Sequence, residues 1–330
     1  MASFAVTGPA TSLGSTVVAG LAKEAAVIEV SPSQPLSLEG VTCLVSLAVG
    51  SGPSPGPVGP IRLRELRQAL AAADAAGATR VVHISSALVY GAAADNEVPL
   101  TENAPVRPDP SFPWAVELAE AERLVAEWRD GGPDRAAAVL RPALVVGPEE
   151  DGFLARALGG LAGPRPAGES RPVQFVHEDD VASAVVLCAT APSPVDGPLN
   201  VAPEGWINEN EAAALAGALL PPPRVPAFLV PPARRLLWAI GVGVTPPEAG
   251  SYASHPWVVA AYRLRSLGWS PSHTNDEAVV ATTSCSPLAA LSPRRRQEVL
   301  LAVTGALLGG LVLTSITLVR RALRSLRPAR

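Results

Sequence analysis

Short apolar runs alternate with helical stretches along the first 150 residues, and this alternation restricts the fold more than any other feature of the sequence. The strand-type runs are Ser3–Val6, Ala26–Val30, Val41–Leu47, 80–85 and Ala136–Leu140. Apolar residues recur at helical spacing in Gly14–Leu21, Arg62–Ala76 and Trp114–Trp128. Strands that alternate with helices of about 10 to 15 residues indicate βαβ units, and hence a parallel sheet covered by helices on both faces. The sequence therefore predicts a doubly wound α/β fold.

The loop between the first strand and the first helix has the chemistry of a phosphate-binding turn. It reads VTGPATSLGS over residues 6–15 and contains Gly8 and Gly14, with Thr11 where the pattern TGxxGxxG places a middle glycine. Glycine lets the backbone approach a pyrophosphate, and a helix N-terminus offers free amide groups and the positive end of the helix dipole. The alternative is a simple turn before a helix, which the loop alone does not exclude.

Further segments follow this loop in an order typical of one protein family. They are CLVSLA at 43–48, RVVHISSALVYG at 80–91, AVLRPALVVGP at 138–148, FVHEDDVASAVVLC at 175–188 and PLNVA at 198–202. Together with VTGPATSLG, this ordered set resembles the extended short-chain dehydrogenase/reductases, the NAD-dependent epimerase/dehydratase family, over roughly residues 1–205. The resemblance implies a Rossmann-type doubly wound parallel sheet over residues 1–150. It also implies a smaller C-terminal substrate lobe over residues 151–285, which we expect to begin with a helix at 153–161.

The resemblance further implies which residues contact a nicotinamide dinucleotide, either NAD or NADP. These positions are Gly8, Thr11, Ser12, Leu13, Gly14, Ser31, Ala48 and Ser85. In the family, an acidic or basic residue after the second strand reads the adenosine ribose, and another strand follows it. Here Ser31 stands at about the ribose position, and the short segment 31–40, SPSQPLSLEG, lacks the further strand. The sequence therefore leaves the binding of NAD or NADP open and does not reveal a preference between them.

The catalytic groups of the family are replaced in this chain. In the family a Ser or Thr orients the substrate, a Tyr transfers the proton, and a Lys four residues later lowers the pKa of that Tyr. By resemblance Ser86 holds the Ser position, whereas Trp114 and Leu118 stand at the Tyr and Lys positions. Another alignment does not restore the pair, because Lys23 is the only lysine and no tyrosine is followed four residues later by Lys or Arg. We therefore expect no hydride chemistry by the usual Tyr–Lys pair.

Two regions that contain histidine have a structural and a functional interpretation each. His83 lies within an apolar strand, and we expect a hydrogen-bonded core residue. The sequence His-Glu-Asp-Asp at 177–180 contains metal-ligating side chains, but it directly precedes a predicted helix that begins at Val181. Acidic side chains at that place cap the helix and complement its dipole. We therefore expect Asp179 or Asp180 to cap this helix, and we predict no metal site.

An uncharged apolar stretch near the C-terminus is long enough to cross a bilayer. It spans 21 residues at 299–319, between a basic linker at 286–298 and a basic tail at 320–330. With a rise of about 1.5 Å per residue, such a helix reaches roughly 30 Å. We expect a membrane protein with one C-terminal span in contact with lipid and a main domain in the cytoplasm. A homodimer is a further expectation. A net charge of −4 argues against a nucleic-acid partner.

The sequence leaves three functions to distinguish. The first is a membrane-anchored, NAD(P)-binding, epimerase/dehydratase-like protein that holds a dinucleotide or nucleotide-sugar but lacks the standard redox step. The second is an active oxidoreductase or epimerase for a nucleotide-sugar or lipid-like substrate, in which Ser86 works with unusual acid–base groups. The third is a non-catalytic scaffold or regulatory protein. Calorimetric titration with NAD, NADP and nucleotide-sugars separates the third from the other two.

Overall fold

The structure, a computed structural model, describes residues 3–8, 11–30, 38–47, 59–147, 158–159, 163–168, 170–216, 223–241, 243 and 245–283. For residues 59–62 and 282–283 it describes the backbone alone. Of the helix that the sequence predicts at 153–161, residues 158 and 159 are described. The linker at 286–298, the apolar stretch at 299–319 and the tail at 320–330 lie outside the described residues.

Strands and helices alternate as the sequence predicts. The described strands are β1 (Ser3–Thr7), β2 (Ala26–Val30), β3 (Cys43–Ser46), β4 (Arg80–Ile84), β5 (Ala136–Pro142), β6 (Leu144–Val146), β7 (Arg165–Pro166), β8 (Pro172–Val173), β9 (Phe175–His177), β10 (Gly197–Val201), β11 (Ile207–Asn208) and β12 (Arg224–Val225). The described α-helices are α1 (Ser12–Leu21), α2 (Gly59–Ala75), α3 (Pro113–Asp130), α4 (Glu178–Thr190), α5 (Glu209–Leu215), α6 (Val230–Ala239), α7 (Tyr262–Ser266) and α8 (Asn275–Thr283). Short 3₁₀ helices cover Ala87–Tyr90, Ala227–Leu229 and Pro247–Ala249.

The main sheet of the described chain has the strand order β10-β5-β4-β3-β1-β2, and all of its pairs are parallel. This arrangement confirms the predicted doubly wound parallel sheet. In the dinucleotide-binding order of such sheets, a third strand lies outside the second. Here β2 has β1 as its one strand neighbour among the described residues, and β3 pairs on the opposite side of β1. Residues 31–37, most of the segment in which we expect no further strand, lie outside the described residues, so that expectation stays a prediction.

Helices cover both faces of this sheet, because alternate residues of a strand point to opposite sides. On one face, Val82 and Ile84 of β4 belong to an apolar cluster that includes residues of α1 and α4. On the other face, Val81 belongs to a cluster with residues of α2 and α3. Small and branched apolar side chains, mostly Ala, Val and Leu, form both clusters. The sheet is therefore buried on both sides, as its near-continuous apolar strands require.

Short strand pairs follow β5 and extend the core beyond the main sheet. β6 pairs with β9, β7 with β12 and β8 with β11. Phe175, Tyr252 and Trp257 from this later part are buried in the same cluster that packs under α1 and α4. The core of the sheet therefore continues into the second half of the chain.

The expectation of a membrane protein is wrong. Among the helices of the described ranges, none combines the length and the apolar character that crossing a bilayer requires. The stretch at 299–319, on which the expectation depended, is itself outside those ranges. We therefore correct the predicted localisation and the lipid contact that went with it.

Candidate functional site

The turn between β1 and α1 has a backbone conformation that favours glycine at one position and a side-chain cap at another. Gly8 has a φ of +75°, and a Cβ there would lie 2.8 Å from the carbonyl oxygen of Leu47. Thr11 is the N-cap of α1, and its Oγ1 accepts the amide of Gly14 at 3.0 Å. The threonine that replaces the family's middle glycine thus satisfies an amide of the first helical turn.

The helix end still suits an anionic group. The first amides of an α-helix have no partner within the helix, and the Thr11 side chain satisfies the one at Gly14. The amides of Ser12 and Leu13 in the same turn point out of the helix end, where a pyrophosphate is favoured by the helix dipole. These residues therefore fit the pyrophosphate of a dinucleotide. Ser31 and Ala48, expected to contact other parts of the cofactor, lie outside the described residues.

Ser86 lies directly after β4, where the chain turns into the 3₁₀ helix Ala87–Tyr90. It is the N-cap of that helix, and its Oγ accepts the amide of Leu88 at 3.3 Å. Gly91 ends the helix with a φ of +74°, and a Cβ there would overlap the carbonyl oxygen of Arg107. The glycine lets the Arg107 segment lie against this turn, where the Arg107 amide bonds to the carbonyl oxygen of Val89 at 2.9 Å. The turn therefore holds Ser86 in a fixed place at the end of β4.

Trp114 and Leu118 lie in the first two turns of α3, which packs against the 3₁₀ helix after Ser86. Both side chains are buried, with exposed fractions of 6% and 2%. The Trp114 ring meets the Phe112 ring edge to face, with centroids 6.0 Å apart. Its indole Nε1 has no hydrogen-bond partner among the described residues. The positions expected for Tyr and Lys are therefore filled by apolar packing.

Beside Ser86 in the chain, Ser85 belongs to a buried network with Glu122 of α3 and Arg141 of β5. The Glu122 carboxylate accepts Ser85 Oγ at 2.5 Å and forms two bonds with Arg141, from Nε at 3.0 Å and from Nη2 at 2.6 Å. The side chains of Glu122 and Arg141 are 10% and 7% exposed. The Ser85 hydroxyl is thus part of a closed polar network, and its contact with a cofactor stays a prediction.

The same arginine extends the network to Tyr90 and Asn200. Arg141 Nη1 donates to the Tyr90 hydroxyl at 2.9 Å, and that hydroxyl donates to Asn200 Oδ1 at 2.8 Å. Burial raises the pKa of the Tyr90 hydroxyl, and Arg141 offsets only part of that rise. Burial alone would lower the pKa of Arg141, but its bonds to Glu122 outweigh this effect and raise it. Arg141 therefore stays charged and Tyr90 stays protonated near neutral pH.

The other groups that could replace a Tyr–Lys pair are engaged or distant. The Tyr252 hydroxyl donates to the Leu88 carbonyl at 2.8 Å and accepts the Asp109 amide at 3.1 Å, and burial raises its pKa to about 12. Tyr262 lies exposed at the start of α7. Lys23 is exposed beyond the C-terminus of α1, at the far end of a helix about 15 Å long.

The sequence carries a signal for this network outside the family motifs. Arg141 lies at the end of an apolar strand, AAAVLRP, and a buried cation needs a partner. Glu122 lies on α3 among Ala121, Leu124 and Val125, which are buried apolar residues. An acidic residue on the buried face of a helix and an arginine in a buried strand would have indicated that the two form an ion pair.

Two interpretations of histidine residues need correction. His83 is fully buried, as expected, but neither ring nitrogen has a hydrogen-bond partner among the described residues, and burial lowers its pKa to about 4. The predicted cap at Asp179 or Asp180 is wrong, because His177 is the N-cap of α4 and its Nδ1 accepts the Asp179 amide at 3.2 Å. Asp179 and Asp180 lie in the first turn, where they complement the helix dipole.

Comparison with known sequences agrees with this architecture. Residues 61–202 match the model of the NAD dependent epimerase/dehydratase family. Uncharacterized proteins of Mycobacterium tuberculosis and Mycobacterium bovis are 30% identical over 200 residues, which is 60% of this chain and 52% of each of theirs. The chain thus spans about half the length of the curated relatives it matches.

Comparison with solved structures extends the likeness to the fold of most of the chain. MoeE5 in complex with UDP-glucuronic acid and NAD is 20% identical, with a TM-score of 0.63 over 86% of this chain and 98% of that one. UDP-glucose 4-epimerase of Thermus thermophilus, in complex with NAD, is 21% identical, with a TM-score of 0.61 over 86% and 98%. RMD from Pseudomonas aeruginosa, complexed with NADPH, is 18% identical, with a TM-score of 0.61 over 86% and 99%. Residues 61–202 therefore carry the sequence pattern of the NAD dependent epimerase/dehydratase family, and the chain has the Rossmann-like parallel α/β fold of these dinucleotide-bound neighbours.

Proposed function

We propose that this protein binds a nicotinamide dinucleotide in the manner of the epimerase/dehydratase fold but does not carry out hydride transfer by a Tyr–Lys pair. One observation carries the proposal: the side chains of Trp114 and Leu118, which align with that Tyr and Lys, are apolar and buried. A bound nicotinamide ring would supply a hydride acceptor. The chain's own residues would have to move the proton from the substrate hydroxyl, and an indole and an isobutyl group do not take up protons.

The engagement of the neighbouring polar groups supports the proposal. A general base needs a free lone pair within reach of the substrate and a pKa near the working pH. The Glu122 carboxylate is occupied by Arg141 and Ser85, and the hydroxyls of Tyr90 and Tyr252 each both donate and accept within the protein. Ser86, the remaining candidate, is a hydroxyl with no base among these groups to activate it.

The turn at α1 supports the binding half of the proposal. Gly8 allows the close approach of the segments that follow β1 and β3, and the free amides at the start of α1 suit a pyrophosphate. The Thr11 cap lowers the expected affinity, because its hydroxyl occupies one amide of the helix end. We therefore propose that the protein binds the dinucleotide weakly. We also propose that it binds a nucleotide-sugar of the kind named for MoeE5 and the Thermus epimerase.

Isothermal titration with NAD, NADP and UDP-glucose tests the binding half. NADH absorbance, together with chromatography for conversion of UDP-glucose into another nucleotide-sugar, tests the catalytic half, because an epimerase returns the hydride and leaves no net NADH. We expect heat with at least one dinucleotide, and neither NADH nor a converted nucleotide-sugar. Absence of heat with both dinucleotides would contradict the proposal and favour a scaffold. Turnover by the wild-type chain that is lost in Ser86→Ala would contradict it in favour of an active enzyme.

A further inference from the structure

Three metal-ligating side chains meet at the N-terminus of α4, on elements that carry neither Ser86 nor Trp114. His177 ends β9, Asp179 lies in the first turn of α4, and His273 comes from the loop before α8. One nitrogen or oxygen atom from each of the three lies within 4.8 Å of the other two. The imidazole rings of His177 and His273 stack with centroids 4.0 Å apart. Donor atoms from two segments far apart in the chain, 177–179 and the loop before α8, therefore lie close together.

One distance in this cluster matches that between neighbouring ligands of one metal ion. His177 Nδ1 lies 3.4 Å from Asp179 Oδ2. Two ligands at about 2.0 to 2.1 Å from a tetrahedral Zn²⁺ lie roughly 3.3 Å apart. Because the two imidazole planes are only 22° apart, their lone pairs run side by side, and His273 has to tilt out of the stack, about its contact with Asp180, to share an ion with His177. Its partly exposed position leaves space for this on the solvent side.

His273 is already oriented by a second carboxylate. Asp180, which is buried, lies 3.1 Å from His273 Nδ1 and accepts the amides of Ser272 at 2.6 Å and His273 at 3.1 Å. A carboxylate at Nδ1 places the ring proton on that nitrogen and leaves the lone pair of Nε2 for a metal. In many metal sites a ligating histidine is held by a second carboxylate in this way.

The charges of the cluster also suit a cation. Glu178, Asp179 and Asp180 all lie in the first turn of α4, where they counter the positive end of the helix dipole.

We propose that His177, Asp179 and His273 form a binding site for a divalent transition metal of the Zn²⁺ type. Two imidazoles with one carboxylate select such ions over Mg²⁺ and Ca²⁺, which prefer oxygen ligands. The ion replaces the hydrogen bond that now caps α4 at His177 Nδ1, and it leaves one coordination position open to solvent. Its effect is to tie the start of α4 to the segment before α8.

Metal binding to the untagged full chain, stripped with EDTA and then dialysed, tests this site. ZnCl₂ is titrated by calorimetry, CoCl₂ by its visible absorption, and MgCl₂ serves as the comparison. We expect one Zn²⁺ per chain, intense visible bands with Co²⁺ that indicate tetrahedral ligands, and no heat with Mg²⁺. The melting temperature should rise with Zn²⁺ and return to its starting value with EDTA, because an ion bound only to the folded state stabilises it.

Three variants locate the ion. Asp179→Asn changes an exposed side chain and His273→Ala a partly exposed one, and each should weaken Zn²⁺ binding by at least about 10-fold, while circular dichroism shows an intact fold. His255→Ala changes a partly exposed histidine outside the cluster and should leave the affinity unchanged. Absence of Zn²⁺ binding in the wild-type chain, or binding that both cluster variants retain in full, would overturn the proposal.

Discussion

The Glu122 carboxylate and the Arg141 guanidinium form a bidentate ion pair with almost no exposure to solvent, between α3 and the end of β5. The pair also holds Ser85 and Tyr90, so that the polar groups nearest to Ser86 are engaged with one another. Glu122, Arg141, Ser85 and Tyr90 thus form one buried network between α3 and the segments that end β4 and β5.

Removal of one partner of this pair should destabilise the protein strongly. Glu122→Ala leaves the Arg141 charge buried without its counter-ion, and we expect a loss of about 3 to 5 kcal/mol in the free energy of unfolding. Urea denaturation measures this loss. Glu122→Leu combined with Arg141→Met should be less destabilised than Glu122→Ala, because no buried charge remains.

Glu120→Gln is the matched control on the same helix. Glu120 pairs with Arg123 at the surface, where solvent and salt screen the attraction, so the free energy of unfolding should hardly change. Equal effects of Glu120→Gln and Glu122→Ala would show that the buried network does not stabilise the fold.

His83 should make the protein lose stability in acid. Burial lowers the pKa of its imidazole from 6.5 in an unfolded chain to about 4 in the folded one. Between these values the unfolded state binds the proton and the folded state does not, so stability is complete above about pH 6.5 and decreases as the pH falls to about 4. The loss attributable to His83 is roughly 3 kcal/mol.

Melting temperatures of the wild type and His83→Leu across this pH range measure the effect. The variant should lose stability less steeply in acid, and near neutral pH it should be at least as stable, because it no longer buries ring nitrogens without partners in the described chain. His177, whose pKa is also lowered, contributes equally to both proteins, so the difference isolates His83. Parallel pH curves for the two proteins would contradict this prediction.

Gly91→Ala should disrupt the turn after Ser86. The new Cβ would overlap the Arg107 carbonyl oxygen, and the positive φ disfavours any residue with a side chain. We expect a loss of roughly 2 to 4 kcal/mol in the free energy of unfolding. Gly40→Ala is the control, because Gly40 also has a positive φ but has open space around its Cβ position, and it should cost less. The same loss for both variants would show that φ, and not the contact with Arg107, sets the cost.

Thr11→Gly should tighten dinucleotide binding. The threonine hydroxyl occupies the Gly14 amide, and its removal returns that amide to the helix end at which a pyrophosphate would bind. Replacement of a Thr cap by Gly costs only a few tenths of a kcal/mol in stability, so the fold should be kept. Calorimetric titration with NAD and NADP compares the two proteins. An unchanged or weaker affinity would show that the Thr11 cap does not compete with the ligand.

The order of strands and helices follows from the sequence more closely than their ends do. α1 begins at Ser12 and not at Gly14, because the Thr11 side chain caps the helix by accepting the amide of Gly14. α4 begins at Glu178 and not at Val181, because His177 provides the cap. Periodicity identifies the apolar side of a helix, but the starting residue depends on which side chain reaches the free amides.

The sequence by itself determined the parallel α/β class, through its alternating apolar runs, and the absence of any Tyr followed four residues later by Lys, since the chain has a single lysine. The tertiary structure alone decided that Ser85, Glu122 and Arg141 share one network, since Glu122 lies 37 residues from Ser85 and 19 from Arg141. It also brought His273 to His177. The local pattern of apolar residues reflects which face of a helix or strand is buried. Contacts between distant side chains depend instead on how β4, β5 and α3 pack, and no short sequence motif encodes that packing.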